Sequence, residues 1–471
     1  MNLSDKIKDY DFLKTASIVA DKLNLQTFVV GGFVRDLLLE RERHDIDFLI
    51  VGDGDAFAKE LAKKLGVDNV VLFKNFGTSH FKYHDIDFEF VSARKESYKR
   101  NSRKPEVEKG NFSDDISRRD FTINTLAVSI NKNDFGKLID IYDGYKDLQY
   151  KFIRTPINPL KTFDDDPLRI MRAFRFASQL NFNVADEIIE AAGQLKDRLK
   201  IVSQERITDE FLKILASPKP SVGLKLLFNS GVMKIVFPEI AVMGGVEQRK
   251  DFHHKDVFLH TCTVVDNISK HTDNIWLRFA ALVHDIAKPN TKKCVEGIGW
   301  TFHGHEELGA RMIKRIFRRM KLPMNKVGYV ENLVRLHLRP IALAKEEVTD
   351  SAIRRLIVAA GDDLDDLITL CRADITSKNP EKVSKYLQNY ENVMKKVLAV
   401  KEKDKLKAFQ SPVRGETIME VCNLKPSKKV GVIKKAIEEA ILDGKIKNTY
   451  EDAYNYLLKI KDDYLNASAE D

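Results

Sequence analysis

The sequence predicts an α+β protein, with a mixed sheet and flanking helices in its first part and helices almost throughout the rest. Three observations carry this prediction. Strand-like runs alternate with helical spacing only as far as about Asp140. Beyond it, apolar residues recur at i, i+3 and i+4, as in PLRIMRAFRFASQL and ITDEFLKILAS. The 471 residues are 43% hydrophobic and 31% charged, with only 23 Gly and 13 Pro, enough apolar material for about three buried cores. That composition excludes a collagen-like, mucin-like or largely disordered chain.

In order along the chain, TFVVGG (27–32) reads as a short buried strand ending in glycines, and FVRDLLLERE as the helix after it. DIDFLIVG (45–52) is a second strand, and DAFAKELAKKLGV a helix closed by Gly66. DIDFEFVSA (85–93) is a third strand, in which acidic and apolar residues alternate strictly. The stretch 94–110 carries seven Lys/Arg against three Glu and no apolar period; it reads as a mobile basic loop or as a plain solvated linker. SPKPS (217–221) and the glycine-rich VMGGVEQRK mark breaks between helical regions, and neither an internal repeat nor a low-complexity tract is present.

Lys and Arg number 78 against 70 Asp and Glu, a net charge of +8, which is compatible with a nucleic-acid partner without requiring one. Four cysteines stand apart with no C-x-x-C pair, which argues against a zinc ribbon and fits a reducing cytoplasm. The N-terminus lacks the apolar run of a signal peptide, and no uncharged apolar stretch reaches about 20 residues. The expectation is a cytoplasmic protein with no membrane association and no obligate protein partner.

GGFVRD (31–36) follows a strand and opens a helix. Gly31 and Gly32 would let the backbone approach an anion at the helix N-terminus, and Arg35 would clamp a phosphate bidentately; the same turn is also a common structural device. Asp45 and Asp47, two apart on a strand, project from one face. Like charges so placed suit Mg²⁺, which takes one or two carboxylates plus substrate phosphates, or else they mark a solvated strand end. Asp85, Asp87 and Glu89 share a face of the third strand, Glu89 deepest, opposite Ile86, Phe88 and Phe90. A third carboxylate near the metal pair would take the proton of an attacking hydroxyl or ligate a second ion.

These motifs resemble the nucleotidyltransferase head of the class II tRNA nucleotidyltransferase and bacterial poly(A) polymerase family. The likeness continues in order through RRDFTINTLAV (118–128), DDPLRIMRAFRFA (165–177) and SQERITDEFLKIL (203–215). Asp165-Asp166-Pro167 reads as a helix start, followed at steps of three by Arg169, Arg172 and Arg175. An Asp accepts hydrogen bonds and an Arg donates them, so Asp166 with Arg169 can pair with a base edge; a capped surface helix with an i, i+3 ion pair is the plainer alternative. The resemblance places Asp166 and Arg169 where the family reads incoming CTP or ATP, Arg172 and Arg175 at further nucleotide contacts, and Arg119 at a nucleotide-binding arginine. Thr125 replaces the usual alanine, and Asp165 stands where Glu is common.

Eight of the eleven histidines fall between His253 and His337. His260, the adjacent His284-Asp285 on an apolar helix, and Asp374 follow the order H…HD…D. Neither residue of a His-Asp pair is comfortable in a core without a partner, and a divalent metal satisfies both. The order resembles the HD metal-dependent phosphohydrolase superfamily, which implies a transition-metal ligand set of His260, His284, Asp285 and Asp374, with His305 and His337 completing a second position. A helical domain that keeps only the shape is the alternative. The stretch 308–330 holds seven Lys/Arg and no acid, a surface for RNA phosphates or simply a solvated helix face.

The resemblances imply a polymerase-beta-like nucleotidyltransferase head (1–140) with a mixed sheet, then an all-α neck and RNA-binding body (141–245), a helical HD domain (246–385) and a helical tail (386–471). The implied function is template-independent addition of CCA to the tRNA 3′ end from CTP and ATP, dependent on Mg²⁺. The rivals are a poly(A) polymerase or partial (A- or CC-) adding enzyme, and an HD phosphohydrolase with a nucleotide-sensing head.

Overall fold

The computed structural model describes residues 1–42, 45–73, 77–97, 106–246, 256–297, 299–343, 349–377, 379–404 and 411–466. They form two compact units, Met1–Gly244 with Arg319–Leu322, and Gly245–Arg318 with Pro323–Asp471.

The first unit is built on a seven-stranded mixed sheet. Its strands are β1 (Gln26–Val30), β2 (Asp45–Val51), β3 (Val71–Phe73), β4 (Thr78–Tyr83), β5 (Ile86–Ser92), β8 (Ala127–Ser129) and β9 (Leu138–Ile139). Their order is β3-β4-β5-β2-β1-β8-β9, with β2 and β5 parallel and the other neighbours antiparallel. Alternation along β2 and β5 sends Ile46, Phe48, Phe88 and Phe90 into the core, where Phe48 and Phe90 stack with centroids 5.0 Å apart. The opposite face carries the acids. In register, Asp45 stands beside Asp87 and Asp47 beside Glu89. Further along the same face of β2, Leu49 is fully buried with Phe28, Val30 and Ile116, so only the open end of the sheet is acidic.

The expected loop at 94–110 is corrected at both ends. Strands β6 (Arg94–Ser97) and β7 (Glu106–Lys109) pair as an antiparallel ladder; its centre, 98–105, lies outside the described residues. Apart from Val107 the two strands are made of charged and polar residues, so no apolar period marked them in the sequence.

Helix α1 (Gly32–Leu38) leaves β1 through Gly31. The helix expected to start at Asp165-Asp166-Pro167 is α3 (Leu168–Leu180); a short helix the sequence reading did not give, α2 (Pro159–Asp165), precedes it, and then comes α4 (Gln204–Ala216). Asp165 therefore ends a helix and does not open one. Pro167 disfavours the helical conformation at Asp166, whose extended backbone breaks the chain there and whose Oδ1 accepts from Leu168 N at 3.2 Å.

The second unit is helical. Helices α5 (Val257–Ile268), α6 (Ile275–Val283), α7 (His305–Arg319), α8 (Val327–Leu336) and α9 (Leu364–Ala373) surround the histidine cluster. A hairpin, β10 (Lys293–Val295) and β11 (Gly299–Thr301), interrupts them. His284-Asp285 sits in the turn that ends α6, not within the helix as its apolar context suggested. Three further helices between Gly415 and Asn466 share a separate core around Ile433, Ile437 and Leu457. Among the described residues no helix is long and apolar enough to cross a membrane.

Candidate functional site

The acidic end of the sheet and helix α3 line two adjoining pockets of the first unit. One is lined by Asp47, Glu89, Arg119, Asp166, Arg169 and Arg172, among others. The other takes Gly31, Gly32, Arg35, Asp45, Asp47, Arg119, Arg172 and Arg175. Asp47, Arg119 and Arg172 belong to both, so all the residues expected in the head are brought together.

Gly31 is the tightest point. Its φ of 74° lies in the left-handed region, and a Cβ there would stand 3.0 Å from Asp47 Oδ2 and 3.1 Å from Arg119 Nη1. The Asp47 carboxyl is pushed up to about 6, first by burial, against the pull of Arg119, and further by the nearby charges of Glu89 and Asp45. A divalent ion bound by these oxygens would relieve that repulsion. Asp87 is drawn aside by His80, whose Nε2 is 3.2 Å from its Oδ1, while Glu89 keeps to the pocket.

The arginines are held by the protein more firmly than their spacing suggested. Arg35 has its bidentate partner within the chain: Nε and Nη2 donate to Asp36 at 2.9 and 2.6 Å, and Nη1 to Asn124 Oδ1 at 2.8 Å. The expected phosphate clamp therefore stands as a braced cation beside the glycine turn. Arg169 donates to the Arg118 carbonyl at 2.6 Å and is buried. Arg175 lies 4.3 Å from the Phe176 ring centroid and donates to Glu210 at 3.1 Å. Arg172 is the more open one, paired with Asp120 at 2.6 Å.

In the second unit six side chains converge. His260, His284 and Asp285 form one group able to hold a cation, and Asp285, His305 and His337 a second, so Asp285 bridges the two. Asp374 Oδ1 completes the first, 2.9 Å from His260 Nε2 and 3.5 Å from His284 Nε2. Each imidazole is oriented through Nδ1. The partners are the carbonyls of Ala281, Phe302 and Val334 for His284, His305 and His337, at 2.8, 2.7 and 2.6 Å, and Thr376 Oγ1 for His260 at 3.0 Å. The three carbonyls fix a proton on Nδ1 of His284, His305 and His337, and all four bonds leave Nε2 facing inward. The inward Nε2 atoms of His284, His305 and His337 and Oδ1 of Asp285 are buried without a hydrogen-bond partner. These four atoms meet one another, Asp285 Oδ2 and Asp374 Oδ1 in ion-pair contacts of 3.1–3.8 Å rather than well-formed hydrogen bonds, and such mixed imidazole and carboxylate donors around one point suit a transition metal.

Without a metal the groups balance one another's charge, with His284 Nε2 3.1 Å from Asp285 Oδ2 and His305 Nε2 3.3 Å from Asp285 Oδ1, so a metal would have to displace a proton from His284. Burial opposes charge on His284, yet the Asp285 carboxylate overcomes it and raises the imidazole to about 10. Burial, with positive His284 beside it, lowers His337 to about 4. Against the cost of burial, the histidines hold Asp285 and Asp374 well below the usual carboxylate range, and Lys288 adds to the effect on Asp285. His271 and His303 are exposed outside the cluster, and His253 and His254 lie outside the described residues.

Family models match three stretches: a poly A polymerase head domain at 27–154, a probable RNA and SrmB- binding site of polymerase A at 181–243, and an HD domain at 257–374. A multifunctional CCA protein of Psychromonas ingrahamii is 32% identical over 77% of this chain and 83% of its own length. The chain belongs to the tRNA nucleotidyltransferase and poly(A) polymerase family. An A-adding tRNA nucleotidyltransferase of Aquifex aeolicus is 42% identical over 41% of this chain, but the match spans only 24% of that relative's length. A solved tRNA nucleotidyltransferase, complexed with a primer tRNA and an incoming ATP analogue, is 26% identical over 81% of this chain and 99% of its own, with a TM-score of 0.58.

As a member of that family the chain is a nucleotidyltransferase, and its structure adds residues that the motif reading passed over. Asp120 is the chief one. Burial opposes its charge, but Arg172, Asn124 and Arg169 hold the carboxyl down to about 2. It binds Asn124 Nδ2 at 3.0 Å and Arg172 Nε at 2.8 Å, at the junction of the two pockets. Asp115, fully buried, holds Arg118 and Arg119. Both acids adjoin or lie within the RRDFTINTLAV motif, where attention to arginine alone hid the carboxylates that position it.

Proposed function

We propose that the chain adds CCA to the 3′ end of tRNA from CTP and ATP. The observation that carries this reading is the register pairing of Asp47 with Glu89 beside Asp45, across the pocket from Asp166 and Arg169. Asp45 and Asp47 would hold Mg²⁺, whose role when bound is to neutralise the triphosphate. The turn at Gly31 and Gly32 admits phosphate oxygens close to the backbone, and Arg35 and Arg119 add fixed positive charge. Glu89 supports the metal site or receives the proton of the primer 3′-hydroxyl. That oxygen forms a bond to the α-phosphorus as the bond to pyrophosphate breaks. Asp166 and Arg169 present an acceptor and donors to the base edge, and Arg172 and Arg175 line the nucleotide's path. We assign the head to 1–140, the RNA-binding body to 141–245, the HD domain to 246–385 and the tail to 386–471, in a cytoplasmic enzyme. Exposed Lys314, Arg315 and Arg318 on α7 have no acidic partner among the described residues and fit an RNA backbone.

The histidine cluster supports a second activity: metal-dependent phosphodiesterase or phosphatase action on RNA ends, which frees a 3′-hydroxyl for the head. The observation behind it is the set of inward Nε2 atoms buried without a hydrogen-bond partner. His260, His284, Asp285 and Asp374 would hold one transition metal and His305 and His337 a second, and such ions supply an activated water.

The deciding experiment is incubation with tRNA lacking its 3′ end and each labelled NTP. Two C and one A, then arrest, support the reading. A-tails on arbitrary RNA point to a poly(A) polymerase, one or two residues to a partial adder, and phosphate release without incorporation to a phosphohydrolase with a sensing head.

A further inference from the structure

Between Asp285 and His305 the chain makes an excursion that the cluster itself does not need, the hairpin β10–β11. Both roots of the excursion are tied to the cluster. On the way out, Lys288 places Nζ 2.6 Å from Asp285 Oδ2 and 5.7 Å from the Phe302 ring centroid. On the way back, the Phe302 carbonyl accepts from His305 Nδ1 at 2.7 Å. Trp300 lies two residues before Phe302, within about 7 Å of extended chain.

The hairpin is not a packed element. Lys293, Cys294, Val295 and Gly299 are exposed, and the Trp300 side chain is half-buried. One face of its indole is covered by Lys292, with Nζ 4.2 Å from the ring centroid. Neither Lys292 nor Lys293 has an acidic partner among the described residues. The cluster is most open at His260, Lys288 and Asp374, the half-buried members of its surroundings. A half-buried ring, one ammonium group without an acidic partner lying on it, and a second, Lys288, at the mouth of the histidine cluster form a combination suited to single-stranded nucleic acid. The base stacks, and the phosphate meets the cations.

We infer that β10–β11 is the substrate arm of the histidine cluster, taking the terminal nucleotide of an RNA with its base on Trp300 and its phosphate directed past Lys292 toward Lys288. This rests on the hydrolase reading of the cluster, and the test separates the two. Binding is read on the full chain without added metal, by titrating tryptophan emission with adenosine 3′-monophosphate. Trp300→Phe removes the emission of that ring while keeping an aromatic surface. Quenching in the wild type that disappears in this variant, and that needs about tenfold more nucleotide in the Lys292→Ala/Lys293→Ala chain, is expected. Hydrolysis is read with Mn²⁺, Ni²⁺ or Co²⁺. Trp300→Ala should raise KM for 2′,3′-cyclic AMP about tenfold with kcat little changed, and Trp300→Phe should restore most of the loss. Glycerol 2-phosphate, which has no base, should be hydrolysed equally by all three. Quenching unchanged in Trp300→Phe, or equal KM in Trp300→Ala and wild type, overturns the arm and leaves the hydrolase reading standing. If no metal supports hydrolysis, the hydrolase reading falls; quenching lost in Trp300→Phe then keeps the nucleotide site, and no quenching removes it.

Discussion

In the head, carboxylates from two neighbouring strands face each other, a single imidazole, His80, meets only Asp87 at the rim, and the charges of Asp45 and Glu89 help to push Asp47 up to about 6. In the histidine cluster the carboxylates are held well below their usual range, because imidazoles and Lys288 surround them. The head thus gathers negative charge, which the proposed Mg²⁺ would offset. The cluster brings its own counter-charge and orients every imidazole through Nδ1, so it is organised before any ion binds. Oxygen donors that lack a second layer of bonds suit an exchangeable hard cation, whereas braced imidazoles suit a resident transition metal.

The largest expected effect tests the independence of the two sites. His284→Ala/Asp285→Ala should reduce metal-dependent phosphohydrolysis to background and leave CCA addition within about twofold, since the sites share no ligand. Metal content of the purified chain, measured by mass spectrometry, should fall with it. A loss of nucleotide addition of more than tenfold in a folded variant would end the contrast drawn here.

Next is the acid pair. Asp45→Ala or Asp47→Ala should lower incorporation on the order of 10²–10³-fold or more, the scale seen when one transition-state charge partner is removed. tRNA binding, followed by filter retention, should change little. Incorporation near the wild-type rate in either variant would remove these carboxylates from the chemistry.

A smaller effect concerns base choice. Asp166→Ala should relax discrimination against GTP and UTP by about 10- to 100-fold, from the 1–3 kcal/mol cost of an unpaired polar group. Each variant also loses a bond within the chain, Arg169→Ala to the Arg118 carbonyl and Asp166→Ala to Leu168 N, so thermal unfolding of both is measured beside selectivity. Misincorporation assays that find both variants as selective as wild type would place base reading elsewhere.

The smallest concerns Asp120. Its folded pKa, about 2, lies below the unfolded value near 3.9, so it stabilises the fold above about pH 4 and loses that contribution as pH falls toward 2. The shift corresponds to about 2 kcal/mol. Asp120→Asn should flatten this part of the stability–pH curve, measured by urea unfolding across pH 2–5, and weaken the hold on Arg172. An unaltered curve would mean that the Arg172 pair does not contribute to folding.

Much of the site was legible because the chemistry sits in short ordered segments. Alternation along DIDFLIVG and DIDFEFVSA already put the acids on one side and the phenylalanines on the other, and β2 and β5 keep that division. The H…HD…D order named the residues that the second unit gathers, from helix ends and turns far apart in sequence. What stayed hidden was set by partners rather than by pattern. Nothing in the spacing of GGFVRD shows that Arg35 turns to the adjacent Asp36 and to Asn124, 89 residues away. Nor did the basic stretch after Arg94 disclose a ladder, because a ribbon of polar residues leaves no hydrophobic period.

The sequence by itself determined which side chains each strand and helix presents, since periods of two and 3.6 follow from local backbone geometry. It also set which carboxylates and imidazoles those segments carry. Only the tertiary structure decided the parallel register that sets Asp47 beside Glu89, the burial that raises Asp47, and the three carbonyls and one hydroxyl that turn four histidines inward. Those depend on strand pairing and on desolvation by distant segments, and neither is written in any local stretch of chain.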